Sequence, residues 1–148
     1  MRSSTPLLAA TGLVWTLSAC TAAPPGPLPS LEPSLVGSEQ YHVTDLRPGD
    51  CLAAISADLR VAVVPCDVGH RAEFSSVYVL AEGPWPGTEV AMRKSVEWCA
   101  AKMRVRPEKR DTVKAGAILP LERDWPRART AYCVVVPVRG ELVGRVLS

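Results

Sequence analysis

The stretch that decides the fold is Asp45–Phe74, which reads DLRPGDCLAAISADLRVAVVPCDVGHRAEF. It contains two short apolar runs, Cys51–Ile55 and residues 60–66, separated by the polar segment 56–59. Two such runs on either side of a polar turn indicate a β-hairpin, and the sequence then leads past His70 into a third strand. The folded part of the chain is expected to be built around this hairpin.

The predicted hairpin brings two cysteines together. A turn centred on Asp58 and Leu59 puts Cys51 directly opposite Cys66. Directly opposed residues of antiparallel strands have Cβ atoms about 4.5–5.5 Å apart, only slightly wider than a disulfide needs. The register of the hairpin therefore favours a Cys51–Cys66 bridge.

The first twenty residues have the parts of an export signal: a basic residue, an apolar run over residues 7–17, and then Leu-Ser-Ala-Cys ending at Cys20. Those last four residues resemble a lipobox, which implies that Cys20 is lipidated on its thiol after removal of residues 1–19. The apolar run is shorter than the roughly 18–20 residues that cross a bilayer, which disfavours a retained transmembrane helix. Ordinary secretion with cleavage after Ala19 is the alternative.

Residues 20–40 are dense in proline and glycine. Such a segment cannot bury apolar surface, and it predicts an extended, semi-rigid tether; a proline-rich ligand for a partner protein is the less usual alternative. A diacylglyceryl group on Cys20 would give two acyl chains, enough for stable attachment to membrane lipid. The expected location is the extracytoplasmic face of the cell membrane.

Residues 41–148 remain as one small domain. Exported domains of this size are often reinforced by disulfides, because their cores are limited. The four cysteines other than Cys20 permit three pairings. Since the hairpin favours Cys51–Cys66, the remaining pair is Cys99–Cys133.

Two elements are predicted after the hairpin. Residues 72–80 alternate as a half-buried strand does, with Phe74 and Tyr78 on one face and Glu73 on the other. A turn follows, and Thr88 is expected to cap a helix over residues 89–104. The helical stripe predicted to face the core consists of Met92, Val96, Cys99 and Met103.

Three further strands are predicted over residues 115–119, 131–138 and 142–147, with Arg139-Gly140 turning the last two into a hairpin. Pro137 indicates a sheet edge or a strand end. The sequence therefore predicts an α+β domain in which an antiparallel sheet of five to six strands packs against one main helix and is held by two disulfides.

Five basic residues cluster after the predicted helix: Arg104, Arg106, Lys109, Arg110 and Lys114. Such a patch suits anionic lipid headgroups or a cell-wall polymer. A solvated loop is the favoured interpretation, because the formal net charge of the chain is only +2 and no aromatic residues interleave. Nucleic acid is not expected as a partner for the same reasons.

Several of these features together resemble the septum-formation domain family of actinobacterial exported proteins. The matching residues are 45–52 (DLRPGDCL), 64–67 (VPCD), His70, Glu73, Phe74, Cys99, Trp125 and Cys133. The resemblance implies an envelope location and an association with division or cell-wall biology, and it implies no catalytic residues. The chain departs from it at residues 125–129 (WPRAR), where related sequences tend to carry a glycine before the arginine.

The segment 66–73 (CDVGHRAE) holds the side chains most suited to chemistry. A metal site would use Cys66 and His70 with Asp67 or Glu73, but it competes with the disulfide and lacks the paired spacing of structural zinc sites, so none is predicted. A catalytic site would make His70 a general base oriented by Glu73, but no nucleophile or anion-stabilising group is indicated. The expected role of His70 is to tie a loop to neighbouring backbone or to a carboxylate.

No serine-hydrolase, transpeptidase or zinc-peptidase motif occurs in the sequence, and no phosphate-binding loop, so no catalytic residue or cofactor is predicted. Trp85 and Trp125 could stack on a sugar or a peptide if they flank one cleft, although turn tryptophans more often cap a small core. The predicted function is a non-enzymatic binding module for an envelope protein or a cell-wall component. The alternative is a small envelope enzyme that uses His70 and Glu73.

Overall fold

The structure, a computed structural model, describes residues 39–148. The predictions about the export signal, Cys20 and the tether up to residue 38 lie outside the described residues. Within them, the elements are β1 (Glu39–His42), β2 (Cys51–Ile55), β3 (Arg60–Val64), β4 (Ala72–Val79), α1 (Thr88–Lys102), β5 (Val113–Ile118) and β6 (Thr130–Pro137), with 3-10 turns at Val43–Asp45, Pro107–Thr112 and Glu122–Asp124. No helix among these residues is long and apolar enough to cross a bilayer.

The six strands form one antiparallel sheet in the order β1-β3-β2-β4-β6-β5. The predicted α+β fold, with one main helix and two disulfides, is confirmed. β1 was not predicted from the sequence; it pairs with β3 and forms one edge of the sheet. The other edge is β5, so β6 lies between two partners.

The predicted strand over residues 142–147, and its hairpin with β6 through Arg139-Gly140, is wrong. β6 is already paired with β4 on one side and with β5 on the other, so no backbone edge is left for another strand beside it. The predicted strand end at Pro137 is confirmed, because Pro137 is the last residue of β6.

Residues 142–148 instead cross the end of the sheet as a tail held by main-chain hydrogen bonds. The Leu142 N–H donates to the His70 carbonyl at 2.8 Å, and the His70 N–H donates back at 3.0 Å. Further along, the Arg106 N–H donates to the Val146 carbonyl at 2.9 Å. The tail therefore joins the loop before β4 to the segment after α1.

The Cys51–Cys66 disulfide is confirmed, but the predicted register of its hairpin is wrong. Cys51 lies opposite Val64, two residues from the predicted partner: the turn pairs Ile55 with Val61, one residue off the prediction, and a bulge between Leu52 and Ala54 adds a second residue. Cys66 lies just beyond the end of β3, and the Cα atoms of the two cysteines are 5.3 Å apart.

The predicted helix is confirmed with changed ends and a different buried face. It starts at Thr88, and its N-cap is Gly87, which makes no side-chain capping bond. The predicted stripe is right at Cys99, which is buried, but wrong at Met92, which is 37% exposed; the other buried residues of the helix are Ala91 and Ser95. These small side chains let the helix approach the sheet closely. The Cys99–Cys133 disulfide also joins the helix to β6, with a Cα–Cα distance of 5.4 Å.

β4 does not alternate strictly, because a bulge lies between Phe74 and Ser76. Phe74 packs into the largest core cluster, with residues such as Leu52 and Val134. Tyr78 belongs to a different cluster, with Ala91 of the helix, so the prediction that Phe74 and Tyr78 share a face is wrong. Glu73, opposite both Cys51 of β2 and Val135 of β6, lies at the centre of the sheet.

Candidate functional site

Three segments meet beside the first residues of β4: residues 46–50, residues 65–71 and the tail at 142–148. The Glu73 side chain lies where they meet and is only 1% exposed. Its Oε2 accepts a hydrogen bond of 2.6 Å from the Val146 N–H and one of 3.3 Å from the Leu147 N–H. A buried carboxylate thus fixes the backbone of the tail.

Arg145 covers this carboxylate from the solvent side. Its Nη1 lies 3.9 Å from Oε1 of Glu73 and donates a 2.8 Å hydrogen bond to the Gly49 carbonyl. Gly49 has a φ of +94°, and a Cβ atom there would lie 2.5 Å from Nη1 of Arg145. Glycine at this position therefore allows both the turn before β2 and the close approach of the guanidinium group.

We expect Gly49→Ala to destabilise the protein more than Gly140→Ala. Both positions have positive φ, +94° and +68°, which costs alanine about 1–2 kcal/mol. Only Gly49 has a neighbour within 4 Å, so its variant should also displace Arg145 and lose a hydrogen bond, a further loss of about 0.5–1.5 kcal/mol. Urea unfolding of both variants measures the difference, and equal losses would contradict a contribution from Arg145.

His70 is fully buried in the loop between β3 and β4. Its Nδ1 lies 2.8 Å from the Val68 carbonyl, and its backbone pairs with Leu142. A ring nitrogen of His70, a carboxylate oxygen of Glu73 and the sulfur of Cys51 all lie within 4.8 Å of one another. The structure thus brings together two of the residues singled out from the sequence, and it places a disulfide beside them.

A groove of about 550 Å³ opens next to this cluster. Four basic side chains, one buried carboxylate and one indole ring contribute to its walls. The lining residues are Pro48, Gly49, Glu73, Ser75, Ser76, Trp98, Lys102, Arg104, Arg106, Arg145, Leu147 and Ser148. Among the described residues that line the groove, Glu73 is the one with an acidic side chain, so the groove is strongly cationic.

The basic neighbourhood seen in the sequence is divided by the fold. Arg104 and Arg106 line the groove, whereas Lys109, Arg110 and Lys114 do not. The remaining two groove cations, Lys102 and Arg145, come from the end of α1 and from the tail. Their contribution was missed because nothing in the sequence shows that the tail returns to the end of the helix.

The groove also has an aromatic wall, formed by Trp98. This indole stacks on Tyr78 of β4 with ring centroids 5.1 Å apart and an interplanar angle of 23°. The stacking fixes the ring beside the cations, where an apolar surface suits a sugar or another flat group. Trp98 was not predicted as a site residue, since a tryptophan within a helix carries no sequence signal for ligand binding.

The two tryptophans predicted as candidate ligand-binding residues lie elsewhere. Trp85 and Trp125 contact each other edge to face, with centroids 5.2 Å apart, so they do not form opposite walls of a cleft. They pack on a small cluster of Leu80, Ala91 and Ala131. The Trp125 Nε1–H donates to the Gly83 carbonyl at 2.8 Å, and the following bond to Pro126 is cis.

Comparisons of the chain with protein-family models, with curated proteins and with solved structures find no match. The groove and the buried cluster beside it are therefore the features of residues 39–148 that bear on function.

Proposed function

We propose that this chain is a non-enzymatic binding module on the outer face of the cell membrane, and that its groove holds an anionic component of the cell envelope. Lipidation of Cys20 would attach it to the membrane, and a tether over residues 20–38, which ends where β1 begins, would keep the domain clear of the headgroups. The resemblance to septum-formation domains suggests division or wall assembly as the setting.

The observation that carries this proposal is the convergence of Lys102, Arg104, Arg106 and Arg145 on one groove. Four cations from separate segments raise the local concentration of anions, and arginine forks match the geometry of phosphate and carboxylate groups. The apolar face of Trp98 beside them suits the carbon skeleton of a sugar or polyol that carries such groups. A phosphate-bearing or carboxylate-bearing wall polymer has both features.

The geometry favours binding over the alternative of an enzyme that uses His70 and Glu73. A general base must lie within hydrogen-bond reach of the proton that it removes from a substrate. His70 is 0% exposed, and Oε2 of Glu73 is occupied by the backbone of the tail. His70 is therefore out of reach of a molecule in the groove, and Glu73 holds the tail through Oε2.

We expect the full chain, kept in a neutral detergent, to bind short-chain polyphosphate, and the triple variant Lys102→Ala, Arg104→Ala, Arg145→Ala to bind it at least about tenfold more weakly. Binding should also weaken with added salt, because exposed charges are screened. Isothermal titration calorimetry at two salt concentrations measures both effects. Arg106 is left in place because its Nε donates to the Leu147 carbonyl at 3.0 Å. Urea unfolding of the triple variant checks that losing the 2.8 Å bond from Arg145 to the Gly49 carbonyl leaves the chain folded.

The matched control is the triple variant Lys109→Ala, Arg110→Ala, Lys114→Ala, which removes the same charge from outside the groove. It should bind polyphosphate like the unmodified chain. Equal losses in the two triple variants would show that only net charge matters and would contradict the groove as the binding site. Titration with polygalacturonate then distinguishes a phosphate ligand from a carboxylate ligand.

A further inference from the structure

The buried cluster behind the groove contains a histidine with one ring nitrogen to spare. A carbonyl oxygen can only accept, so the 2.8 Å contact between Nδ1 of His70 and the Val68 carbonyl places the hydrogen on Nδ1. Nε2 is buried and has no hydrogen-bond partner within residues 39–148. Histidines that bind a metal through Nε2 commonly donate Nδ1–H to a backbone carbonyl in the same way.

Glu73 has a spare acceptor as well. Oε2 holds the tail, whereas Oε1 is buried and has no hydrogen-bond partner among the described residues. Nη1 of Arg145 is 3.9 Å from Oε1, beyond hydrogen-bond distance, and a ring nitrogen of His70 and a carboxylate oxygen of Glu73 lie within 4.8 Å of each other. Buried acceptors without a donor are unfavourable, because each has lost its water. A cation placed between them would satisfy both.

The third member of the cluster is sulfur. Sγ of Cys51 lies within 4.8 Å of a ring nitrogen of His70 and of a carboxylate oxygen of Glu73, and Cys51 is opposite Glu73 in the sheet. In the disulfide this sulfur is a poor ligand, but a cysteine thiolate is one of the strongest ligands for zinc. The Cys66 sulfur, bonded to Cys51, is next to it.

We propose that reduction of the Cys51–Cys66 disulfide creates a zinc site with Cys51, Cys66, His70 and Glu73 as its four ligands. A dithiol would supply two electrons and two protons, becoming a disulfide itself while the two cysteines become thiols. Binding of Zn²⁺ would then release the two thiol protons to solvent and leave two thiolates on the metal. The disulfide and the zinc site would be alternative cross-links that hold the loop between β3 and β4.

The rest of the described chain offers an internal comparison. This cluster is the one group of three or more Cys, His, Asp or Glu within residues 39–148 whose ligand atoms lie close enough to share an ion. The Cys99–Cys133 disulfide is also buried but is not part of it. Zinc should therefore distinguish between the two pairs of cysteines once both are reduced.

The test uses the full chain in neutral detergent, reduced with a phosphine that does not compete for zinc. We expect about one zinc ion per chain after reduction and none before it. Mass-spectrometric mapping should show that zinc slows the alkylation of Cys51 and Cys66 at least tenfold, whereas Cys99 and Cys133 are alkylated at the same rate with and without zinc. Zinc bound equally by the oxidised chain, or equal protection of both pairs, would overturn the proposal.

A histidine exchange tests the ligand set. His70→Gln should weaken zinc binding by the reduced chain more than about tenfold. The matched control is His42→Gln, which changes the chain's other histidine, exposed in β1, and should bind zinc normally. Equal affinity in the two variants would contradict the site, and should His70→Gln fail to fold, the alkylation pattern of the unmodified chain decides alone.

Discussion

Replacing Glu73 with alanine is expected to lower the free energy of unfolding by about 3–5 kcal/mol. The change removes the acceptor for the N–H groups of Val146 and Leu147, and the Val146 N–H would then be buried without a partner. It also leaves Arg145 without its nearest carboxylate, 3.9 Å away. Equilibrium unfolding in urea, with unchanged disulfides, measures the loss.

Two further variants show which property of Glu73 matters. Glu73→Gln keeps one acceptor oxygen and removes the charge, so its loss should be smaller than that of Glu73→Ala. The control Glu97→Ala, at an exposed position of α1, should change the stability by less than about 0.5 kcal/mol. If Glu73→Ala were no more destabilising than Glu97→Ala, the carboxylate would not be what holds the tail.

Removing the disulfide between α1 and β6, by Cys99→Ala with Cys133→Ala, is expected to cost about 3–4 kcal/mol. The bridge spans 34 residues of chain, and its loss returns the entropy of that loop to the unfolded state. The helix buries only small side chains, so apolar packing compensates little. Thermal and urea unfolding of the double variant check this value.

The matched comparison is Cys51→Ala with Cys66→Ala, whose bridge spans only 15 residues. The same chain-entropy argument gives a loss of about 3 kcal/mol, slightly smaller than for the longer loop. A clearly larger loss for the shorter loop would show that the bridge acts mainly through native packing around His70 rather than through the unfolded chain.

The fold could be predicted from local patterns, and the errors came from features that local patterns do not show. Residues 142–147 read as a strand, but β6 has no edge left to pair with it. The turn and a bulge after Leu52 each moved the hairpin by one residue from the predicted register, although the disulfide still forms. The helix was predicted, but part of its buried face was misplaced, because Ala91 and Ser95 give a weaker apolar signal than Met92 and Val96.

The candidate site was predictable only in part. His70 and Glu73 stood out because they lie three residues apart beside a cysteine, and the structure brings them together. The groove was not predictable, since Lys102 and Arg145 meet only after the tail has crossed the sheet. Charges from distant segments give no common pattern in the sequence.

The way in which the tail is fastened also bears on how much its sequence can vary. Its contacts with Cys66, His70 and Glu73 use main-chain groups of the tail, which every residue type except proline can provide. Val143, for example, is 62% exposed. Exposed positions such as 143 should therefore vary freely among related chains, whereas Leu142 and Val146, which are buried, and Arg145, which contacts Gly49 and Glu73 through its side chain, should vary less.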